Sequence, residues 1–400
     1  MRRQPAQPQI GLAPVEAIRA DRYRGAMGLN EVIVVGAGPA GLGVAARLRR
    51  RGFDPQLIDR AQTVASAWRT RYDSFRLHTI RWLSGLPGMP IPVRLGPWVT
   101  RDDFVDYLAR YAEGFAIAPR FDTALAGLTP TDGGWVLATS QGEIEAGRVV
   151  LATGACAEPH IPAWTGRDGF RPPLIHSSEY RRPGPYAGRR TLVVGTGNSA
   201  TEVAVDLASN GVPVELAVRT PPSITRRDFG GIPSQPLGIA LRYAPATIAD
   251  PLAAALRRLS IPDLSAQGLP APRTPFSLFH RTGTVPVLDH GFVSAVRSGA
   301  IRIRPGVSRL DGDDVVHDDG SRSSPDAVIA GTGYRPGLDT ILGPLDLIDE
   351  RSLPIVGSRG GATRAPGLHT IGISVLLSGL LREIGKDAQR LARSIPRSAG

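Results

Sequence analysis

The sequence predicts an α/β fold built from two similar halves, because one pattern of residues occurs twice along the 400-residue chain. In each half an apolar, β-branched run is followed by a glycine-rich turn and then by apolar residues at helical spacing. The runs are Val32–Val35 in the first half and Thr191–Val194 in the second. Strand, tight turn and helix in this order are typical of a parallel sheet with helices on its faces.

The first turn carries the pattern Gly-x-Gly-x-x-Gly at Gly36, Gly38 and Gly41, with Pro39 and Ala40 between the last two glycines. The first glycine permits the tight turn, the second lets the backbone approach a pyrophosphate, and the third allows the helix to pack closely on the strand. The helix N-terminus would face the phosphates. The pattern therefore predicts a Rossmann-like dinucleotide-binding domain.

An acidic residue, Asp59, follows the next apolar run at residues 56–58. In dinucleotide-binding folds a carboxylate about 20 residues after the glycine turn accepts a hydrogen bond from a ribose 2′-hydroxyl. We therefore expect Asp59 to bind the ribose of the first dinucleotide.

The second half repeats the turn with a small residue in place of the third glycine, which also predicts a Rossmann-like domain. The residues expected to hold a second dinucleotide there are Gly195, Gly197, Asn198, Ser199 and Ala200 in the turn and Glu202 on the helix that follows.

The strand after the second turn ends in a cation, Arg219, where the first half has an acid. A guanidinium can pair with the 2′-phosphate that distinguishes NADP from NAD, whereas a carboxylate would repel that phosphate. Two dinucleotides in one chain indicate one resident redox cofactor and one hydride donor. We therefore expect FAD at the first turn and NADPH at the second.

Two further turns of small residues follow predicted strands. Residues 143–151, the second strand of a predicted β-hairpin, run into Thr153 and Gly154, and a strand at 326–330 runs into a turn of the same kind. A small-residue turn directly after a strand lets the backbone pass close to a ligand. The residues of the second such turn are Thr332, Gly333 and Tyr334.

A helix is predicted at residues 380–395, directly after Gly379. The N-terminus of a helix carries partial positive charge. We expect this N-terminus to face the electron-rich edge of an isoalloxazine ring, where it would stabilise an anionic reduced flavin.

The composition is that of a globular enzyme, with 42% hydrophobic and 21% charged residues. The net charge of +11 comes from arginines scattered along the chain, with Lys386 as the single lysine, so no nucleic-acid partner is expected. No apolar run is long enough to predict a membrane span. The single cysteine, Cys156, excludes a dithiol disulfide reductase and is compatible with a reducing cytoplasm. Residues 1–29 are predicted to be a disordered tail, and a homodimer is left open.

Together these segments resemble the flavin-containing monooxygenases, in particular the smaller single-component members that include the plant YUCCA enzymes and their bacterial relatives. The family's identifying motif is Phe-x-Gly-x-x-x-His-x-x-x-Tyr/Phe. Its counterpart here is Phe170, His176 and Tyr180, with Pro172 in place of the glycine. The resemblance also includes the 86–88 segment, Asp289 and three residues that it assigns to the cofactor sites, Arg60, Trp68 and Arg69.

The resemblance implies an FAD domain at residues 30–167 and 291–400, into which an NADPH domain with a proline-rich insert is placed at 168–290. It implies that NADPH reduces FAD and that dioxygen then forms a flavin 4a-hydroperoxide, which transfers one oxygen atom to a small organic substrate. The flavin is the reagent, so His176 and Tyr180 are only weak catalytic candidates, and no metal site is expected.

Family enzymes oxygenate amines, sulfides or 2-oxo acids, and the sequence leaves that choice open. A Baeyer-Villiger monooxygenase is an alternative, although such enzymes usually end the motif in tryptophan, where Tyr180 stands here. The sequence also leaves open a ferredoxin-type reductase and a flavin-bearing sensor protein.

Overall fold

The computed structural model describes residues 32–272, 275–278, 285–356, 361–373 and 378–396. The helices, in chain order, are α1 (Pro39–Arg49), α2 (Ser66–Arg69), α3 (Arg81–Ser84), α4 (Arg101–Gly114), α5 (Asn198–Ser209), α6 (Gln235–Arg242), α7 (Ala246–Ser260), α8 (Phe292–Arg297), α9 (Asp339–Leu342) and α10 (Leu380–Ser394). The strands, in chain order, are β1 (Val32–Val35), β2 (Gln56–Ile58), β3 (Leu125–Thr131), β4 (Gly134–Thr139), β5 (Gly142–Ala146), β6 (Arg148–Leu151), β7 (Glu158–Pro159), β8 (Leu174–His176), β9 (Thr191–Val194), β10 (Val214–Val218), β11 (Ile224–Arg226), β12 (Asp228–Phe229), β13 (Ile232–Pro233), β14 (Val287–Asp289), β15 (Ile301–Pro305), β16 (Val307–Asp311), β17 (Asp314–His317), β18 (Arg322–Ser323), β19 (Ala327–Ala330), β20 (Tyr334–Arg335) and β21 (Leu368–Thr370).

The first half is built on a parallel sheet with strand order β2-β1-β6-β21. All four residues of β1 are buried, because helices and a second layer cover the sheet and keep water from both faces. Helix α1 packs on this sheet and buries residues 39–46 completely. Helix α10 covers α1 in turn, with Ala388 and Ile384 facing Gly43.

Strands β3, β4 and β5 form a separate antiparallel sheet in the first half. The prediction of one strand over 143–151 is therefore wrong. β5 ends at Ala146 and pairs antiparallel with β4, whereas β6 begins at Arg148 and pairs parallel with β1. The chain leaves one sheet and enters another at Gly147, and the strand-like residues on both sides of this glycine do not reveal the change of partner.

The second half is built on a five-stranded parallel sheet with strand order β15-β10-β9-β19-β8. Two of these strands, β15 and β19, come from residues beyond 290, where the sequence resemblance places the end of the second domain. That boundary is wrong for this sheet, because β19 pairs with β9 in the centre and β15 pairs with β10 at the edge. The long insert and the antiparallel strands β16, β17 and β18 lie between the strands of this sheet along the chain.

The central strands of the two sheets have equivalent positions. β1 lies between β2 and β6, and β9 lies between β10 and β19. The strand order reverses at each of these points, and open parallel sheets bind ligands at such a switch point, outside the carboxyl ends of the strands. The predicted α/β fold with two Rossmann-like sheets is confirmed, and both glycine turns lie at a switch point.

No helix in the described ranges has the length and apolar character needed to cross a membrane. Within the same ranges, no group of three or more histidine, cysteine or acidic side chains could hold a metal ion.

Candidate active site

A cavity of about 380 Å³ opens at the carboxyl edge of the first sheet. The glycine turn after β1 forms its base, and the chain segments that follow β2 and β6 form its sides. Most residues that the sequence assigns to the first dinucleotide line this cavity. They are Gly36, Gly38, Pro39, Ala40, Asp59, Arg60, Trp68, Thr153 and Gly154.

The three glycines of the first turn have three different surroundings. A Cβ on Gly36, which has a φ of +115°, would lie 2.5 Å from the carbonyl oxygen of Ala152, and a Cβ on Gly41 would lie 1.8 Å from the carbonyl oxygen of Gly36. Gly36 and Gly41 therefore permit the fold itself. Gly38 differs, because no described heavy atom lies within 4 Å of the position that its Cβ would take. Its freedom leaves room for a ligand.

Helix α1 begins directly at this open position. Its N-cap is Gly38, and no described side chain caps the helix, so the first-turn N–H groups of α1 remain available to an anion. Pro39 stands in the first turn, where its fixed φ suits the start of a helix.

Asp59 follows β2 and ties the turn together. Its Oδ2 accepts a hydrogen bond from the backbone N–H of Ala37 at 2.6 Å, and its Oδ1 accepts one from that of Ala61 at 2.8 Å. Each carboxylate oxygen has a second lone pair. Asp59 can therefore order the turn and still accept a hydrogen bond from a ribose in the cavity.

Thr153 provides an observation that points directly to a ligand. Its Oγ1 is buried and has no hydrogen-bond partner among the described residues, although the residue lines the cavity. Buried hydroxyl groups in proteins are nearly always paired. Thr332, the corresponding residue after β19, differs, because its hydroxyl donates to the carbonyl oxygen of His160.

Several cavity residues are not among those predicted. They include Arg71, Cys156, Glu158, Leu380 and Ile384. Arg71 comes three residues after Trp68, just beyond the end of α2, and this spacing is the signal that could have identified it. Leu380 and Ile384 belong to the first turns of α10, as the predicted helix after Gly379 requires.

Gly379 itself is buried and does not line the cavity, and its φ is +97°. A Cβ there would lie 2.4 Å from Cγ2 of Thr79. Its role is therefore to let α10 start close to the 79–80 segment. Arg69 is also outside the cavity, because its side chain is exposed and its Nε donates to the carbonyl oxygen of Val64.

The second turn is built like the first, but Ala200 stands where the first turn has Gly41, and Gly331 stands where it has Ala152. A Cβ on Gly195, which has a φ of +119°, would lie 2.4 Å from the carbonyl oxygen of Gly331. A Cβ on Gly331 would lie 2.6 Å from that of Ala200, so glycine at 331 compensates for alanine at 200. Gly197 is open, with no described heavy atom within 4 Å of a Cβ there. The backbone at the second turn is therefore open in the same way as at Gly38.

Helix α5 begins at Asn198, and no described side chain caps it. The Asn198 side chain is engaged in the fold, because its Oδ1 accepts a hydrogen bond from the backbone N–H of Leu288 at 2.9 Å. Asn198 thus connects the second turn to strand β14, and it is not free in the way that the sequence led us to expect. Ser199 lies partly buried in the first turn of α5.

Arg219 follows β10 directly and is exposed. Its guanidinium has no hydrogen-bond or ion-pair partner among the described residues. Thr196 of the second turn donates a hydrogen bond to the carbonyl oxygen of Thr220 at 3.2 Å, which keeps the end of β10 beside the turn. Arg219 is therefore an unpaired cation beside the second turn, whose open glycine is Gly197.

Tyr334 links the second turn region to the first cavity. Its hydroxyl accepts a hydrogen bond from Nη1 of Arg71 at 2.9 Å, and the Arg71 guanidinium lies 5.1 Å from the centre of its ring. The His176 ring packs edge-on against the Tyr334 ring, with the ring centres 4.8 Å apart. Tyr334 and the preceding Gly333 therefore form a contact between the two halves and do not line the first cavity.

His176 has partners on both ring nitrogens. Its Nε2 lies 3.0 Å from the carbonyl oxygen of Gly333, and its Nδ1 accepts a hydrogen bond from the backbone N–H of Ser178 at 3.1 Å. These contacts fix the neutral tautomer with the proton on Nε2, and burial lowers the pKa of His176. The geometry favours a structural hinge for His176.

Tyr180 is completely buried, and its hydroxyl donates to Oδ2 of Asp206 on α5 at 2.7 Å. Burial, followed by this carboxylate, raises the pKa of Tyr180 far above its ordinary value. Neither Tyr180 nor His176 lines the cavity, and the hydrogen-bond partners of both lie in the second half, after β19 and on α5.

Glu202 is not free to bind a cofactor either. Its carboxylate accepts a hydrogen bond from the Tyr72 hydroxyl and lies 2.6 Å from Nε2 of His78. Both partners come from the first half, and the sequence gives no signal for their approach to α5.

Comparisons with known proteins agree with this geometry. A family model described as pyridine nucleotide-disulphide oxidoreductase matches residues 33–229. The probable indole-3-pyruvate monooxygenase YUCCA3 of Arabidopsis thaliana is 32% identical over 86% of this chain and 82% of its own length. The indole-3-pyruvate monooxygenase YUCCA8 of Oryza sativa subsp. indica is 36% identical over 92% of this chain and 91% of its own length.

The chain belongs to the YUCCA-like flavin-containing monooxygenases. It is therefore a flavin-dependent monooxygenase. A flavin-containing monooxygenase from Stenotrophomonas maltophilia has the same fold, with a TM-score of 0.69 over 91% of this chain and 98% of that chain, at 22% identity. The disulphide chemistry in the name of the matching family model has no counterpart here, because a YUCCA-like monooxygenase with Cys156 as its one cysteine has no dithiol.

Proposed function

We propose that the chain is an FAD- and NADPH-dependent monooxygenase that oxidatively decarboxylates a 2-oxo acid. The overall reaction consumes the 2-oxo acid, O2, NADPH and a proton. It yields the carboxylic acid with one carbon fewer, CO2, NADP⁺ and water, so that atoms and electrons balance. The observation that carries the cofactor proposal is the pair of glycine turns, each open at its second glycine and each at the switch point of a parallel sheet.

The first cavity fits the ADP half of FAD. The open Gly38, the uncapped start of α1 and the buried hydroxyl of Thr153 offer N–H and O–H donors, while Asp59 offers an acceptor for a ribose hydroxyl. A bound FAD supplies the two-electron redox chemistry and the activation of dioxygen that no side chain can supply. The contribution of the chain is to bind and orient this cofactor and to keep water away from it.

The second turn fits NADPH. The uncapped start of α5 and the open Gly197 suit a pyrophosphate, and the unpaired, exposed Arg219 suits a 2′-phosphate. Arg71 contacts Tyr334 of the second half and also lines the first cavity, so it lies where the two halves meet.

The choice of a 2-oxo acid as substrate is supported by the relatives that share most of their length with this chain, which are named indole-3-pyruvate monooxygenases. It is also supported by cations where the halves meet. Arg227 lies 3.2 Å from Nδ1 of His290 and 4.9 Å from the ring centre of Trp98. Arg227 also pairs with Asp228, whose Oδ2 lies 3.5 Å from its Nε. A cation stacked on an aromatic ring beside two histidines, His290 and His78, suits a carboxylate next to an apolar group where one of its N–H groups stays available.

The test is product analysis with purified, FAD-loaded protein and NADPH. Indole-3-pyruvate, a tertiary amine, a thioether and a cyclic ketone are supplied in parallel, and NADPH consumption is compared with product formed. We expect one equivalent each of indole-3-acetate and CO2 per NADPH. Turnover of only the amine or thioether would show N- or S-oxygenation instead, and turnover of only the ketone would show Baeyer-Villiger chemistry.

A further inference from the structure

A buried carboxylate joins the two halves of the protein at Glu202. This residue lies in the first turns of α5, one helical turn after the second glycine turn, yet its two nearest partners belong to the 72–78 segment of the first half. Its Oε2 accepts a hydrogen bond from the Tyr72 hydroxyl, and its Oε1 lies 2.6 Å from Nε2 of His78 and 3.7 Å from Nε2 of His290.

The burial of Glu202 makes its partners necessary. Only 11% of its side chain is exposed, against 31% for His78 and 17% for His290. A carboxylate removed from water in this way is costly unless a cation or several donors face it. Tyr72 supplies one neutral donor, and a histidine has to supply the positive charge.

The surroundings select His78 as the cation. Burial opposes protonation of His78, but the charge and contact of Glu202 outweigh burial, so that the pKa of His78 is raised. The pKa of His290 is lowered, because burial outweighs the more distant Glu202 and because His78 and Arg227 repel a second proton.

The remaining groups agree with this assignment. Burial, followed by Glu202, raises the pKa of Tyr72 well above its ordinary value, so the phenol stays a donor. Burial acts to raise the pKa of Glu202, but His78, His290 and Tyr72 together lower it, so Glu202 stays ionised. The charged and titratable side chains that face the pair are Arg71, Tyr72, Arg227, Asp289 and His290.

We propose that Glu202 is a positioning residue that keeps His78 protonated and fixes its ring at the junction of the two halves. The contact of Nε2 with Oε1 of Glu202 is an ion pair without hydrogen-bond alignment, and the other ring nitrogen of His78 has no hydrogen-bond partner within the described ranges. This Nδ1–H is a charged donor for an oxygen atom of a bound molecule. That role in turnover rests on the proposed function, whereas the charge state of His78 does not.

The same helix connects this pair to the second glycine turn. Asn198, at the start of α5, accepts a hydrogen bond from Leu288 on β14, and His290 follows β14 directly. The helix α5 therefore links the second glycine turn to Glu202 and, through β14, to the segment that carries His290.

A matched control lies one turn further along α5. Asp206 accepts a hydrogen bond from the buried Tyr180 hydroxyl, just as Glu202 accepts one from Tyr72, and the two phenol rings lie 6.1 Å apart. The difference is that no histidine contacts Asp206 in the described part of the chain. Asp206→Asn therefore changes a buried tyrosine-carboxylate pair without changing the charge beside His78.

The experiment is an NMR titration of the full-length protein with 15N-labelled histidine. The sequence contains 7 histidines, and His78→Gln identifies the signal of His78. We expect His78 in the wild type to titrate above its ordinary value of 6.5. In Glu202→Gln we expect this pKa to fall by at least about one pH unit, while Asp206→Asn leaves it unchanged.

A wild-type His78 that titrates below 6.5, or a His78 pKa that is the same in Glu202→Gln, would overturn the proposal. The wild-type titration decides the matter even where Glu202→Gln does not fold. Because this readout needs no turnover, it is separate from any failure of the proposed function.

Turnover supplies the second readout. With His78 active as the cation, kcat should fall as the pH rises through the pKa of His78, and Glu202→Gln should move that fall to lower pH. We expect kcat of Glu202→Gln to drop about 10- to 100-fold with little change in KM for NADPH. An unchanged pH profile would show that Glu202 only holds the two halves together.

Discussion

The carboxylate of Asp59 accepts a hydrogen bond from the backbone N–H of Ala37 at 2.6 Å, in the middle of the first glycine turn. Asp59 therefore shapes the turn as well as offering an acceptor to a ribose. We expect Asp59→Asn to weaken FAD binding about 10- to 100-fold, because a hydrogen bond to a charged group contributes about 1.5–3 kcal/mol. Fluorescence titration of the apoprotein with FAD measures the change.

Asp54→Asn is the control for Asp59, since the Asp54 side chain is 89% exposed and pairs with Arg49 at the surface. FAD binding in this variant should equal that of the wild type. Equal weakening in both variants would show that charge alone, and no local contact of Asp59, affects the cofactor.

The glycines of the first turn should separate folding from binding. In Gly38→Ala the new methyl group meets no described atom within 4 Å, so we expect a stable apoprotein that binds FAD poorly. In Gly36→Ala the methyl group would meet the Ala152 carbonyl oxygen at 2.5 Å in a left-handed backbone. We expect a loss of at least about 2 kcal/mol in the free energy of unfolding. Urea unfolding of the two apoproteins, followed by FAD titration, tests both expectations, and a destabilised Gly38→Ala would contradict the first.

Thr153 and Thr332 form a second matched pair. Thr153→Val removes a buried hydroxyl that has no partner in the described part of the chain, so the apoprotein should lose no stability while FAD binding weakens. Thr332→Val removes a hydroxyl that donates to the His160 carbonyl oxygen, which should cost the apoprotein about 1 kcal/mol. Thermal unfolding with and without FAD measures both. If Thr153→Val destabilises the apoprotein more than Thr332→Val does, the Thr153 hydroxyl contributes to folding and is not reserved for a ligand.

Arg219 should decide the choice between the nicotinamide cofactors. We expect Arg219→Ala to raise KM for NADPH about 10- to 100-fold and to leave KM for NADH nearly unchanged, because a charge-assisted contact worth about 1.5–3 kcal/mol is lost for NADPH alone. Steady-state oxidation of each cofactor measures this. The exposed Arg258 on α7 provides the control variant Arg258→Ala. Equal effects on NADPH and NADH would show that Arg219 does not bind the 2′-phosphate.

His369 should make the protein less stable in acid. Its side chain lies on β21, its Nδ1 is buried without a partner among the described residues, and burial lowers its pKa from 6.5 to about 4. Because the folded pKa is depressed, the unfolded chain binds a proton between these values and the folded chain does not. The contribution to the free energy of unfolding is therefore intact above 6.5 and declines as the pH falls, by about 1.4 kcal/mol per pH unit.

The variant His369→Gln isolates this term from the many carboxylates that also titrate in acid. Urea unfolding at a series of pH values should show a shallower decline for the variant than for the wild type between pH 6 and about pH 4.5. Parallel curves would mean that His369 binds its proton equally well in both states.

The sequence predicts the two sheets and the cofactor turns well because these features are local. The pattern of strand, glycine turn and helix lies within one short segment in each half, although the contacts that require glycine at Gly36 and Gly195 come from Ala152 and Gly331, far along the chain. The boundary at residue 290 could not be predicted, because β15 and β19 join the second sheet through pairing with distant strands. Strand pairing of this kind leaves no signal in the composition of the strand itself.

The junction between the halves was equally hidden. Nothing in the sequence distinguishes Tyr72, His78 and Glu202 from ordinary core or surface residues. Only the docking of α5 on the 72–78 segment brings them together. His176 ends β8 of the second sheet and Tyr180 follows four residues later, and their side chains bind Gly333 and Asp206 within the protein. The motif therefore indicates the family, whereas the role of each of its side chains follows only from its contacts.

The most direct test of the central claim is the fate of isotopically labelled dioxygen. The FAD-loaded protein is supplied with NADPH, indole-3-pyruvate and oxygen-18 gas, and the products are weighed by mass spectrometry. A flavin-dependent monooxygenase acting on a 2-oxo acid predicts one labelled oxygen atom in each indole-3-acetate, with one NADPH consumed per product. Oxidation of NADPH with all of the labelled oxygen recovered as hydrogen peroxide, and indole-3-pyruvate unchanged, would contradict it.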